Sequence, residues 1–381
     1  MKIARIETFL VPPRWLFCRV ETDDGVVGWG EPVVEGRAEV VRTAVEVLAE
    51  YLVGQDALRI EDHWQVLTKG GFYRGGPVLS SAVAGLDQAL WDIAGKHYGA
   101  PVHELLGGPV RDRVRVYAWV GGDDPGELRE EIDKQVEAGF TAIKMNGTGL
   151  LPRAATAADL ATVVARAEVA RSALGPGRDF AIDLHGRAGA ADARRIIAAV
   201  APLHPMFVEE PLAPGLLHRL ADLTAATDVP IALGERLYSR SDFLPALTSG
   251  LAVAQPDISH AGGVSEVRRI AALAETFDVQ IAPHCPLGPI ALAASLQVGF
   301  ATPNFLIQEQ SAGIHYHRDT EFLDYVLDPA PFAFTAGHAH RTSLPGLGVV
   351  VDEPAVREAD RRGHAWRNPV WRHDDGSMAE W

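Results

Sequence analysis

Six ionisable residues recur at a near-constant interval along the second half of the chain. Asp183, Glu209, Glu235, Asp257, His284 and Glu309 stand 26, 26, 22, 27 and 25 residues apart. Each follows a short apolar run, as in FAIDLHG, MFVEEP and VQIAPHC. One acid at the end of such a run is ordinarily solvated or caps a helix. Six in series, each about one strand-helix unit after the last, predict side chains that meet in space. Asp183, Glu209 and Glu235 then make an all-oxygen set with little neutralising charge in the adjacent sequence. Repulsion forbids that grouping without a cation, so the set predicts a hard divalent ion, Mg2+, one per subunit. The competing reading is a charge network closed by Arg236 or Lys144. Glu210 adjoins Glu209, and register with Asp183 and Glu235 selects Glu209 as the ligand.

A histidine is a competent base near neutral pH once a partner fixes its tautomer. His284 is the candidate base and Asp257, one strand earlier, the candidate partner. His185 lies across the same mouth as candidate proton donor. Side chains alternate along a strand, so Asp183 and His185, two residues apart, are expected on one face. The set describes a metal-assisted proton abstraction with a base on one side and an acid on the other.

The elements that must position these groups follow from the hydrophobic pattern. Residues 1 to about 31 alternate like antiparallel strands, with a turn at Asp23-Asp24-Gly25. From about 38 to 99 the spacing becomes helical, clearest in VLSSAVAGLDQALWDIAGKHYG, which Gly99 and Pro101 end. Eight apolar runs alternating with helical stretches then begin at residues 114, 141, 180, 206, 231, 252, 279 and 304. That repetition predicts an α/β fold, a (β/α)8-type barrel, with an α+β N-terminal capping domain completed by the C-terminal tail. The expected boundaries are 1–112 for the cap, 113–310 for the barrel and 311–381 for the returning tail. No G-x-G-x-x-G follows the first strand, so a dinucleotide-binding fold has no support.

A net charge of -15 with no basic run excludes nucleic acid as a partner. No run of eighteen apolar residues suggests a membrane span, and MKIARIETFL holds no signal-type apolar core. Cys18 and Cys285 are the only cysteines, in no C-x-x-C spacing. A cytoplasmic protein is expected.

Across nearly its whole length the chain resembles the enolase superfamily, in its mandelate racemase-like branch, and within it the galactonate-dehydrating members. The resemblance is carried by VPPRWLF, RIEDHWQVL, GGFYRGGP, GLDQALWDIAGK, KMNG, DLHGR, VEEP, GERL, QPDISHAGG, APHCPLGPIALAA and QEQS. PGLG and WRNPVW continue it into the tail. It implies that Asp183, Glu209 and Glu235 hold Mg2+, that Asp257 and His284 form the base dyad, and that His185 is the acid. Glu309 is implied to support the substrate. The reaction implied is dehydration of an acid sugar, an aldonate such as D-galactonate, through an enediolate, in a homo-oligomer. Racemases of the branch carry K-x-K where this chain has Lys144-Met145-Asn146. A missing second lysine favours elimination. Lys144, Asn146, Arg14, Trp15 and Tyr73 are expected at the substrate, the last three from the closing cap, with simple packing as the other reading. The stretch TGLLPRAATAADL after Gly147 departs from the family and is expected to tune the sugar. The alternatives are dehydration or epimerization of another aldonate, and a non-catalytic binder of sugar acids. Trp366, Trp371 and Trp381 are read as packing, and His315, His317, His338 and His340 as solvated loop residues.

Overall fold

The computed structural model describes residues 1–121, 125–313 and 320–381. His315 and His317 lie outside them. Strands β1 (Ile3–Val11), β2 (Trp15–Thr22) and β3 (Val27–Gly30) pair antiparallel, the second turn closing at Gly25 with φ +86°. Helices α1 (Ala38–Leu52) and α3 (Pro77–Tyr98) pack on that sheet, α2 (Ile60–Lys69) packs on α3, and α4 (Val102–Leu105) follows.

Helix α3 is buried nearly all round from Ser81 to Gly95, and its polar residues have defined work. Asp87 accepts hydrogen bonds from the Ser265 amide and hydroxyl. Gln88 accepts from the Glu31 amide and donates to the Ile258 carbonyl and the Ser259 hydroxyl. Asp92 accepts from the amides of Trp29 and Leu347 and from the Lys96 ammonium. A buried polar side chain without such partners would cost about 1–3 kcal/mol, so these contacts fix the helix in one position. It thereby ties the N-terminal sheet, the 258–265 segment and the tail together.

Strand β4 (Arg113–Arg115) opens the next part, followed by β5 (Ala118–Val120), α5 (Pro125–Glu137), β6 (Ala142–Asn146), α6 (Ala157–Leu174), β7 (Asp179–Asp183) and α7 (Ala190–Val200). Then come β8 (Val208–Glu209), α8 (Leu220–Thr224), β9 (Ile231–Leu233), α9 (Arg240–Leu247), β10 (Val253–Ala254), α10 (Gly263–Glu275), β11 (Gln280–Ile281) and α11 (Pro289–Ala301). Strands β5 to β11 form one parallel sheet in sequence order. Parallel bridges from Ile281 to Phe305 and from Val116 to Gln308 join its two edges through the 304–308 segment, as in a TIM-type barrel. Tyr117, Ala142, Ala181, Phe207, Ala232, Val253, Ala282 and Ile307, one from each of the eight segments, form a single buried cluster. The barrel interior is thus filled, and the open space lies above it.

Two expectations need correction. The run expected as one strand over 114–120 splits, because β4 turns away to pair antiparallel with β12 (His338–His340). The barrel strands are also shorter than the apolar runs, so Glu235, Asp257, His284 and Glu309 lie just past the ladder. Pro256 and Pro283 follow β10 and β11, and a proline has no N–H to extend a ladder. Helix α12 (Glu353–Arg362) returns to β1, where Asp360 accepts from the Leu10 amide and Arg357 pairs with Glu7. Among the described residues no helix is long and apolar enough to cross a membrane.

The β3–α3 contact is close enough to demand glycine: a Cβ on Gly30 would stand 1.9 Å from the Gly85 carbonyl oxygen. Gly30→Ala is expected to destabilise the protein by about 1–3 kcal/mol. Gly215→Ala, with open space around it, should leave the urea midpoint unchanged. Equal midpoints for the two variants would refute the close-packing account.

Candidate active site

Strand β7 ends on Asp183, and its next residues leave the extended conformation: His185 has φ +50° and Gly186 φ +70°. The alternation argument therefore fails at His185, which sits on a turn. The two side chains still meet, because the His185 amide donates to Asp183 Oδ1 (2.8 Å) and its Nε2 stands 3.2 Å from Asp183 Oδ2. Glu210 takes a similar left-handed conformation after Glu209, φ +42°. Glu210 turns to the Gly234 amide and the Arg236 guanidinium, and Glu209 faces the mouth.

Asp183, Glu209 and Glu235 each offer an oxygen, all within 4.8 Å of one another. Asp183 and Glu209 are shut off from solvent. Their neutralising charge is not absent, as the adjacent sequence suggested. Lys144, itself 1% exposed, places Nζ 2.7 Å from Glu209 Oε1, 2.8 Å from Glu309 Oε1 and 3.9 Å from Asp183 Oδ2. Its ammonium also lies over the rings of Tyr117 and Trp119. One cation does not satisfy the group: Glu209 Oε2 is buried with no hydrogen-bond partner. Burial and the neighbouring carboxylates raise Asp183 well above the usual carboxylate range and push Glu209 up to about 7, against the pull of Lys144. Three converging oxygens, one of them orphaned, fit a hard divalent cation.

His284 places Nδ1 2.7 Å from Asp257 Oδ2 and Nε2 3.1 Å from Glu235 Oε2. Burial opposes its charge, but Glu235, Glu309 and Asp257 together push its pKa up to about 10. Glu309 accepts from the Cys285 amide (2.8 Å) and, despite burial, is held low by Lys144 and His284. His185 is driven the other way: burial and then Arg187, Lys144 and Arg236 lower it well below its ordinary value. Its Nδ1 is buried without a partner.

Lys144, Asp183, His185, Glu235, His284 and Glu309 line a cavity of about 650 Å³. Asn146 and Arg14 line it too, and Asn146 Oδ1 is another buried acceptor without a partner. Trp15 does not reach it. That side chain opens β2 and is wholly buried against Phe17 and Tyr325. Tyr73 is also outside the lining, 87% exposed on the glycine-rich loop beside Phe72. The tail tryptophans correct the reading in the opposite sense. Trp366, Trp371 and Trp381 all line the cavity, with Arg14 over Trp366 and Arg187 over Trp371. Sequence reasoning also missed Glu35 and His260 in the lining. The spacing of His260, three residues after Asp257, was a usable signal; nothing local marks Glu35.

A filled parallel barrel with carboxylates, a His–Asp pair and a lysine at its mouth, under an N-terminal α+β cover, defines a class of metal-assisted enzymes. The chain belongs to the enolase superfamily: residues 127–355 match the enolase C-terminal domain-like family and residues 11–107 the N-terminal domain of mandelate racemase / muconate lactonizing enzyme. It is 53% identical to the D-galactonate dehydratase of Ralstonia nicotianae and 50% identical to that of Pectobacterium atrosepticum, over all of both chains in each case. A crystal structure of an enolase from Agrobacterium radiobacter, bound to sodium and L-malate, superposes with a TM-score of 0.91 at 34% identity, again over all of both chains. This protein is an enzyme of the hydro-lyase class.

Two outcomes follow from the charge cluster. Carboxyls with raised pKa hold protons that a cation must displace, so Mg2+ affinity is expected to rise with pH through about 7, with proton release seen by calorimetry in buffers of different ionisation enthalpy. A pH-independent affinity with no proton release would contradict this. Lys144→Met is expected to lower the metal-free unfolding free energy by about 3–5 kcal/mol, by leaving buried carboxylates uncompensated. In urea melts, added Mg2+ should recover part of that loss.

Proposed function

We propose that this protein dehydrates an aldonate, D-galactonate first among them, to the 2-keto-3-deoxy acid, with Mg2+ held by Asp183, Glu209 and Glu235. The observation that carries this reading is the position of His284: its Nδ1 is held by Asp257, and its Nε2 faces the edge of the carboxylate triad. A base aimed there meets the carbon next to a carboxylate bound at the same triad. The divalent cation would supply a Lewis acid for the charge that develops on that carboxylate. His284 removes the proton from carbon 2, and the electron pair moves onto the carboxylate. Glu235, the strongest pull keeping His284 protonated, is also one of the residues that would hold the cation, and a cation there would relieve that pull. Lys144 and Glu309 form the floor beneath the substrate, and Asn146 offers an amide to its hydroxyls. As the electrons return, the carbon-3 hydroxyl leaves as water with a proton from His185, and the enol then tautomerises. An anionic substrate adds the negative charge that favours the protonated form of His185.

Asn146 also supports elimination over racemization. The strand position that would hold a second base carries a neutral amide, and Lys144 is committed to two carboxylates. The relatives named D-galactonate dehydratase support the sugar, and the hydroxy acid bound by the Agrobacterium radiobacter enolase supports the substrate class. Thr148 and Gly149, at the start of the departing loop, line the cavity and set its shape there.

The test is an assay of aldonates with Mg2+, scored for 2-keto-3-deoxy product, with His185→Asn alongside. Turnover of D-galactonate is expected, and His185→Asn should lose dehydration while still exchanging the carbon-2 hydrogen with solvent deuterium. Loss of both in a folded, metal-binding variant would remove His185 from the acid role.

A further inference from the structure

Two acids in the loop after β3, Glu31 and Glu35, reach from the N-terminal cover into the barrel mouth. Glu31 is wholly buried, and its two oxygens accept from the Gly288 and Ala291 amides at the start of α11. Arg14 Nη2 donates to the carbonyl of Pro286, which lies between His284 and Gly288 in the chain (3.0 Å). The segment carrying His284 is thus gripped from the cover at both its turn and its helix.

Glu35 acts on the other half of the dyad. Its Oε2 lies 3.4 Å from His260 Nε2, and His260 Nδ1 lies 3.5 Å from Asp257 Oδ2. The same Asp257 oxygen is 2.7 Å from His284 Nδ1, while Asp257 Oδ1 accepts from the Ser259 and His260 amides. His260 thus stands between two carboxylates, and one Asp257 oxygen faces two histidine rings. The His260 ring stands beside that of His284, centroids 6.1 Å apart, and pairs with Glu35 and Asp257 rather than with the carboxylate triad.

We infer that Glu35 and His260 are positioning residues that orient the His284 base through Asp257, so that the base is set only when the cover is seated. This rests on the dehydratase reading above and deepens it. Acting through one oxygen, the pair governs in which orientation the His284 ring stands.

The test compares wild type with Glu35→Gln, His260→Gln and the double variant, all Mg2+-loaded, by carbon-2 deuterium exchange and dehydration of the aldonate turned over. Glu35 is partly exposed on a loop, so the isosteric Glu35→Gln variant is expected to fold even where His260→Gln does not. Each single variant should lower exchange and kcat together by roughly 10–100-fold, as removal of partners that orient a working histidine does. KM and Mg2+ affinity should stay near wild type, and the double variant should be no slower than His260→Gln alone, since the two residues act in series. In 15N-histidine-labelled protein, Glu35→Gln should also move the signal of the His284 Nδ1–H that faces Asp257. An unmoved signal, wild-type exchange rates, a loss confined to KM, or additive losses would each overturn the inference. A wild type that turns over no acid sugar would sink the dehydratase reading, while the labelled-histidine signal would still decide the link from Glu35 to His284.

Discussion

Collecting buried carboxylates at one point is the constraint that organises this molecule. Asp183, Glu209, Glu235, Asp257 and Glu309 meet above a dry plug of side chains, where like charges repel with little screening. Lys144 answers part of that repulsion and leaves Glu209 Oε2 unsatisfied. The raised pKa values of Asp183 and Glu209 express the remainder. Oxygens in that condition fit a hard divalent cation. Against burial, Glu235 and Glu309 raise His284, whereas burial and then Arg187 lower His185, so two identical imidazoles at one mouth differ through their surroundings.

The surrounding fold is built to hold that field rigid. Helix α3 carries three polar residues through an apolar environment and uses each to fasten a different part of the chain. Gln88 holds the turn just after Asp257, and Glu31, fastened by its amide to the same Gln88, caps the helix that follows His284. The strand ends provide direction, but their ladders stop early, so these contacts with the cover fix the last few residues. The tail closes the cavity from a third side with three indoles.

Much of the site was legible because the barrel turns a linear period into a ring. Equal spacing of Asp183, Glu209, Glu235, Asp257, His284 and Glu309 follows from one strand-helix unit per step, and the closed sheet forces these positions together. Register alone separated Glu209 from Glu210, and the structure turns them to different partners. Reasoning failed where the backbone left the regular strand. The pairing of Asp183 with His185 survives, but through a left-handed turn that alternation does not describe. Trp15 and Tyr73 could not be placed from sequence, because a cap residue's distance from the mouth depends on how two separate units dock.

The sequence by itself determined the order of strands, the barrel, the identity of the clustered carboxylates and the His–Asp pair, since each is written in local apolar runs and a repeating interval. Tertiary structure alone decided that Lys144 bridges Glu209 and Glu309, that Glu35 and His260 stand behind Asp257, and that tryptophans from the last sixteen residues wall the cavity. Those contacts join residues up to hundreds of positions apart. No local pattern encodes them, because they arise only when the cover, the barrel and the tail are packed against one another.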